Sequence, residues 1–164
     1  MATSEKQVFI QSWEREFPTT LKVLKAFPAG KGSFKPHDRS ATVAEISRAF
    51  PMAQIFVEQV LKGEFQVPPK LPELPQTLEG LISQFEKSQD RVLEFLKKTP
   101  DEEYHKPMKM MFGKDKWGEM PRMQFLWFML FDNIHHRGQL SVYLRLAGGK
   151  VPSIYGPSAD EPWM

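Results

Sequence analysis

FLWFMLFDNIHHRGQLSVYLRLAGG, residues 125–149, is the stretch from which the fold is read. The run is long, mostly apolar and free of proline, and Gly148-Gly149 closes it, so it reads as one helix. It also concentrates the chemistry, with Asp132, His135, His136, Arg137 and Gln139 in an otherwise apolar setting. On a helix Asp132 and His136 are i and i+4, stacked on one face and able to hold one ion together. His135 is rotated by about 100° from His136 and serves a different face. Phe125, Phe128, Met129, Gln139, Leu140 and Tyr143 lie near the Asp132/His136 stripe, which is therefore expected to face inward. Two readings stay open. The pair is a metal or substrate site, or it is an internal polar lock in which carboxylate and imidazole satisfy one another. Two ligands are fewer than the three or four that a stable divalent site normally takes.

Outward from this helix the chain divides into further helical stretches. Residues 5–28 carry Phe9, Trp13, Phe17, Leu21, Leu24 and Phe27 in steps of three or four, one apolar stripe. Pro18 is expected to kink or break that helix, and Pro28-Ala29-Gly30 stops it. Thr42-Val43-Ala44-Glu45 has capping-box spacing and opens a second helix, which runs to Lys62 and ends at Gly63. Its inner face is Ile46, Phe50, Ala53, Val57 and Val60, and Pro51 should bend it.

Residues 64–76, EFQVPPKLPELPQ, hold Pro68, Pro69, Pro72 and Pro75. At about 3.1 Å per residue such a segment covers roughly 40 Å, enough to travel the length of a helix of about 30 Å. The next helix, residues 77–98, is then free to run parallel to the one before it. Residues 101–120 lose the helical period and read as a long ordered loop, with short strands an option, over one end of the molecule. Pro121 suits the first turn of the last helix, and Ile154, Tyr155 and Trp163 of the tail are expected to pack back. Four long helices without strands of length predict an all-α four-helix bundle, one domain over residues 1–164.

The bulk numbers narrow the function classes. The chain has 164 residues, 41% hydrophobic and 26% charged, with 22 Lys+Arg against 20 Asp+Glu and no cysteine. Disulfides, thiolate metal sites and a cysteine nucleophile are excluded. The formal charge of +2 is no basic stripe, so nucleic acid is not an expected partner. No apolar run reaches the length of a membrane span, and the N-terminus lacks the pattern of a signal peptide, so the expected location is the cytoplasm.

IHHRGQLSVYLRLAG (134–148), followed by VPSIYGPSADE (151–161), resembles the C-terminal signature of the DinB-like (DinB/YfiT) family, the damage-inducible helical proteins. The likeness extends to FKPHDRSATVAEI (34–46), the proline-rich connector and the irregular stretch before the last helix. The resemblance implies a bundle with helices up-down-down-up. It also implies a divalent metal, zinc or nickel, on three histidines. Carried onto this chain, one of those is His136, the second falls on Asp132, and the helix-two position falls on Ala49, which cannot ligate. Glu45 or His37 would be the replacement ligands, while His37 and His105 otherwise read as loop histidines. Arg137 reads as an ion-pair or packing residue, Gln139 as a hydrogen bond into the core, and Gly138 as a point of close helix approach.

Relatives of this kind include metal-dependent hydrolases and enzymes that transfer low-molecular-weight thiols, which makes a thiol or other small molecule the expected substrate. The alternative is a non-catalytic, stress-associated bundle that binds a small ligand or a protein partner. Pairing of relatives through helices makes a homodimer the expected assembly.

Overall fold

A computed structural model describes residues 3–163, which are mostly helical with one small two-stranded sheet. The elements are α1 (Glu5–Lys25), a 3-10 turn at Lys31–Ser33, α2 (Val43–Ser47), α3 (Ala49–Lys62), α4 (Leu78–Lys98), α5 (Asp101–His105), β1 (Pro107–Gly113), β2 (Lys116–Pro121) and α6 (Arg122–Leu146). No helix among the described residues is long and apolar enough to cross a membrane.

Local chemistry sets the boundaries. Ser4 and Gln7 cap α1 reciprocally: the Ser4 hydroxyl accepts from the Gln7 amide, and the Gln7 side chain accepts from the Ser4 amide. Of the two outcomes expected at Pro18, a kink or a break, the break does not occur: α1 is continuous from Glu5 to Lys25. A proline removes a single ladder bond, and here the buried residues on either side, Trp13, Glu16, Thr20 and Val23, hold the turn together. Thr42 and Glu45 form the expected capping box, with the Glu45 carboxylate accepting from the Thr42 amide at 2.7 Å. The second helix is interrupted for one residue at Arg48, which separates α2 from α3 yet keeps right-handed helical dihedrals (φ −60°, ψ −27°); Pro51 offers no N–H to the Ser47 carbonyl and its ring crowds that group. Gly63, at φ 75°, ends α3 in the left-handed conformation.

The side-chain pairings fix the relative directions of the long helices. Phe50 meets Phe85, Gln54 reaches Gln89, Arg91 pairs with Glu58, and Lys62 stands over the Phe95 ring, so α3 and α4 run parallel. Phe9 packs on Trp127 while Arg137 binds Glu16, so α1 and α6 are parallel as well. Phe17 lies on Phe85 and Lys6 reaches the Thr99 carbonyl, so α1 and α4 are antiparallel. The long connector makes the parallel α3–α4 step feasible.

The stretch read as a loop is α5 followed by an antiparallel hairpin, Pro107–Gly113 against Lys116–Pro121. Met108, Met110 and Met120 on its inner face pack against the core, while Met111 and Trp117 stay exposed. That alternation is the strand signature. The expected inward packing of the tail is only partly met. Ile154 joins the core, but Tyr155 and Trp163 remain mostly exposed and are anchored by their polar tips.

The core consists of two apolar clusters, one around Phe9, Val57 and Leu126 and the other around Leu24, Phe50 and Leu140. Where they meet, buried polar residues gather: Glu16, Thr20, Gln54, Gln89, Asn133 and Arg137. Arg137 is 1% exposed. Its Nη1 donates to Glu16 Oε2 at 2.7 Å, its Nη2 to the Tyr155 hydroxyl at 2.5 Å, and that hydroxyl donates to Glu16 Oε2 at 2.6 Å. Breaking such a pair strands the other charge, at a cost of about 3–5 kcal/mol. Burial opposes ionisation of Glu16, but the Tyr155 hydroxyl and Arg137 outweigh it and hold the carboxyl below its ordinary value of 4.5. A depressed folded pKa stabilises the protein above the unfolded value, and that contribution is lost as pH falls through the folded one. Glu16→Gln should therefore lower unfolding free energy at neutral pH by about 3–5 kcal/mol and flatten the decline of Tm below about pH 4.5. Denaturant and thermal melts across pH measure both, and an unchanged acid limb would show that Glu16 does not carry it.

Candidate functional site

The α6 stripe that faces inward is Leu126, Leu130, Asn133, Arg137, Leu140 and Leu144. Asp132 and His136 lie one position before Asn133 and Arg137, so they sit at the margin of the helix interface rather than in the core. Their side chains are 36% and 27% exposed. The expectation that the pair points into the interior is corrected by this rotation. Arg137, not His136, takes the inward position, because Glu16 and Tyr155 neutralise and bond it there. Gln139 is exposed rather than core-bonded, and Gly138 faces open space rather than a close helix contact.

His136 has an acceptor at each ring nitrogen. Asp132 Oδ2 stands 3.4 Å from Nε2, and Gln139 Oε1 stands 2.9 Å from Nδ1. Two acceptors suit an imidazolium, which donates from both nitrogens, better than a neutral ring. The hydrogen bond to Asp132 is the main reason that the His136 pKa is raised above its ordinary 6.5; partial burial opposes it and Gln139 adds to it.

The fit of a divalent metal follows from the donors available. Asp132 and His136 are the two expected ligands on α6. Ala49 opens α3, which runs antiparallel to α6: Arg122 Nη1 donates to the Leu61 carbonyl at one end. The third position that the resemblance implies falls on Ala49, the first residue of α3, whose methyl side chain cannot ligate. Glu45 does not replace it, since its carboxylate is committed to the Thr42 cap. His37 is an exposed loop residue whose Nδ1 accepts from the Arg39 amide, and His105 is exposed at the end of α5. Among the described residues no group of three His, Asp or Glu side chains converges on one point. The residues present do not fit a three-ligand site. A metal would also have to displace the proton that the surroundings of His136 favour.

A cavity of about 300 Å³ opens at the hairpin end, between Phe65, Val67, Met108, Trp117, Lys109 and Arg122. Neither Asp132 nor His136 lines it. Glu16 and Asn133, which organise the interior beside the pair, carry no motif in the sequence, and Tyr155 is expected there only as a tail residue that packs back. A signal was there. Positions 126, 130, 133, 137, 140 and 144 step by four and three without interruption, the rhythm of a buried helical stripe.

The description "DinB family" matches residues 1–163 of the chain. The uncharacterized protein YrdA of Bacillus subtilis (strain 168) is 25% identical over 153 residues, covering 93% of this chain and 89% of that protein. A DinB-like protein of Bacillus cereus ATCC 10987 superposes with a TM-score of 0.71 at 24% identity, over 90% of this chain and 95% of its own. A second, YjoA of Bacillus subtilis, gives 0.69 at 17% identity, over 95% and 99%. At these identities the two solved structures report on the fold.

A raised folded pKa stabilises the protein below the unfolded value and ceases to do so as pH rises through the folded one. In an NMR titration the His136 ring should therefore show a midpoint above 6.5, and Asp132→Asn should bring that midpoint down. Coincident midpoints in the two proteins would mean that the pair is not coupled.

Proposed function

The chain belongs to the DinB family, and from that premise we propose a member with an altered metal position that acts by binding a small ligand or a protein partner rather than through metal-centred chemistry. The observation that carries this reading is the donor set. Asp132 and His136 serve each other, Gln139 completes the imidazole's bonding, and the helix-two position that the family resemblance assigns to a ligand is Ala49.

The helix pairings support reading α1, α2–α3, α4 and α6 as a four-helix bundle in up-down-down-up order, forming a single DinB-like domain. The hairpin-end cavity, apolar but for Lys109 and Arg122, is of the size that small ligands occupy. Phe128, Phe131, Val142 and Leu146 lie exposed on α6 and support pairing with another protein surface, a second copy of this chain being the reading adopted here. The formal charge of +2 speaks against nucleic acid as the partner, and a chain without cysteine suits the cytoplasm.

A second reading, a metal-dependent hydrolase or thiol transferase using zinc or nickel, has one observation in its favour. Asp132 and His136 remain adjacent and partly accessible. Elemental analysis of untagged protein, followed by zinc and nickel titration, separates the two. The wild type is expected to carry no stoichiometric metal, and Ala49→His combined with Asp132→His is expected to create affinity by restoring three imidazoles. Wild-type binding as tight as that of the double variant would overturn the proposal.

A further inference from the structure

We infer that the core holds a binding site for one internal water molecule, clasped between Trp13 Nε1 and Asn133 Oδ1 where the two apolar clusters meet. Both atoms are fully shielded from solvent, and neither has a hydrogen-bond partner among the described residues. Trp13 is 4% exposed and Asn133 7%. Both side chains line one small cavity, of about 10 Å³, whose walls are the apolar Phe17, Phe85 and Leu130 and whose polar groups include Glu16, Thr20 and Gln89.

The chemistry of these groups selects the occupant. An indole N–H only donates, and an amide oxygen only accepts. The molecule between them must therefore accept from one and donate to the other. An anion can do the first and a metal cation can satisfy the second, whereas water does both. The space agrees: roughly one water-sized sphere needs about 10–15 Å³ of such volume, and buried waters take two to four polar partners. Gln89 and Thr20 supply the remaining partners. Gln89 Oε1 accepts from Gln54 Nε2 at 3.2 Å and keeps a second lone pair. The Thr20 hydroxyl accepts from Arg137 at 3.3 Å and keeps its own proton to donate.

With that water in place α1, α3, α4 and α6 are joined by one polar layer, from Gln54 and Gln89 through Trp13 and Asn133 to Glu16, Arg137 and Tyr155. The layer acts on function through rotation. Asn133 and Arg137 are the residues next to Asp132 and His136, and holding the first two inward keeps the second two at the margin of α6.

Crystals of the full chain, at a resolution that orders internal waters, are expected to show one solvent peak within hydrogen-bond distance of both Trp13 Nε1 and Asn133 Oδ1. In solution, the Trp13 indole N–H, assigned by its loss in Trp13→Phe, is expected to give a cross-peak to bound water that disappears in Asn133→Leu. A direct Trp13–Asn133 hydrogen bond, a site without solvent density, or a cross-peak that survives Asn133→Leu in a folded protein overturns the inference. Should Asn133→Leu fail to fold, the wild-type density decides the matter alone.

Discussion

The buried contact of Arg137 with Glu16 and Tyr155 is the constraint on which the rest of the arrangement depends. A guanidinium at 1% exposure is tolerable only with a carboxylate against it and its donors spent. Glu16 and Thr20 come from α1, Arg137 from α6, and Tyr155 from the tail beyond α6. One charge pair thus fixes the α1–α6 contact and closes the C-terminal segment over it. Lys22–Glu161 and Arg145–Asp160 tie the same segment down at the surface. Exposed pairs of that kind contribute little individually, so the interior pair does most of the fixing.

The same contact explains why the histidine pair is not in the core. α6 is apolar on nearly every side, and burial of hydrophobic area alone would leave its rotation poorly specified. The charge pair specifies it. With Arg137 inward, His136 is turned toward the edge, where Asp132 and Gln139 supply its hydrogen bonds. The hydrogen bond to Asp132 there raises the His136 pKa, and the helix-two position of the expected ligand set is Ala49.

Legibility in the sequence followed the range of the interaction. The Thr42/Glu45 cap, the Gly63 stop, the helical spans and the parallel step across the proline-rich connector are local or geometric, and they were read directly. The hairpin at 107–121 was only an option, because its inner face is methionine, a residue without strong strand preference, and its exposed positions keep Trp117 and Met111. Pro18 stays inside a continuous α1, while Pro51 follows a one-residue interruption at Arg48. The difference lies in what packs on each side of the lost bond, which no window of sequence contains.

By itself the sequence determined the helical class, the termini of the helices, the identity of the family and the two α6 residues, Asp132 and His136, expected as ligands. It also put Ala49 at the position of the missing one. The sequence of α6 carries two rival apolar stripes, and the tertiary structure decided between them through partners more than a hundred residues away, Glu16 and Thr20. Glu16 for Arg137 is one such partner, and no periodicity along a single helix reveals it. Asp132 and His136 were recognisable as a pair from their spacing of four. That they face each other at the margin is a property of the packed helices alone.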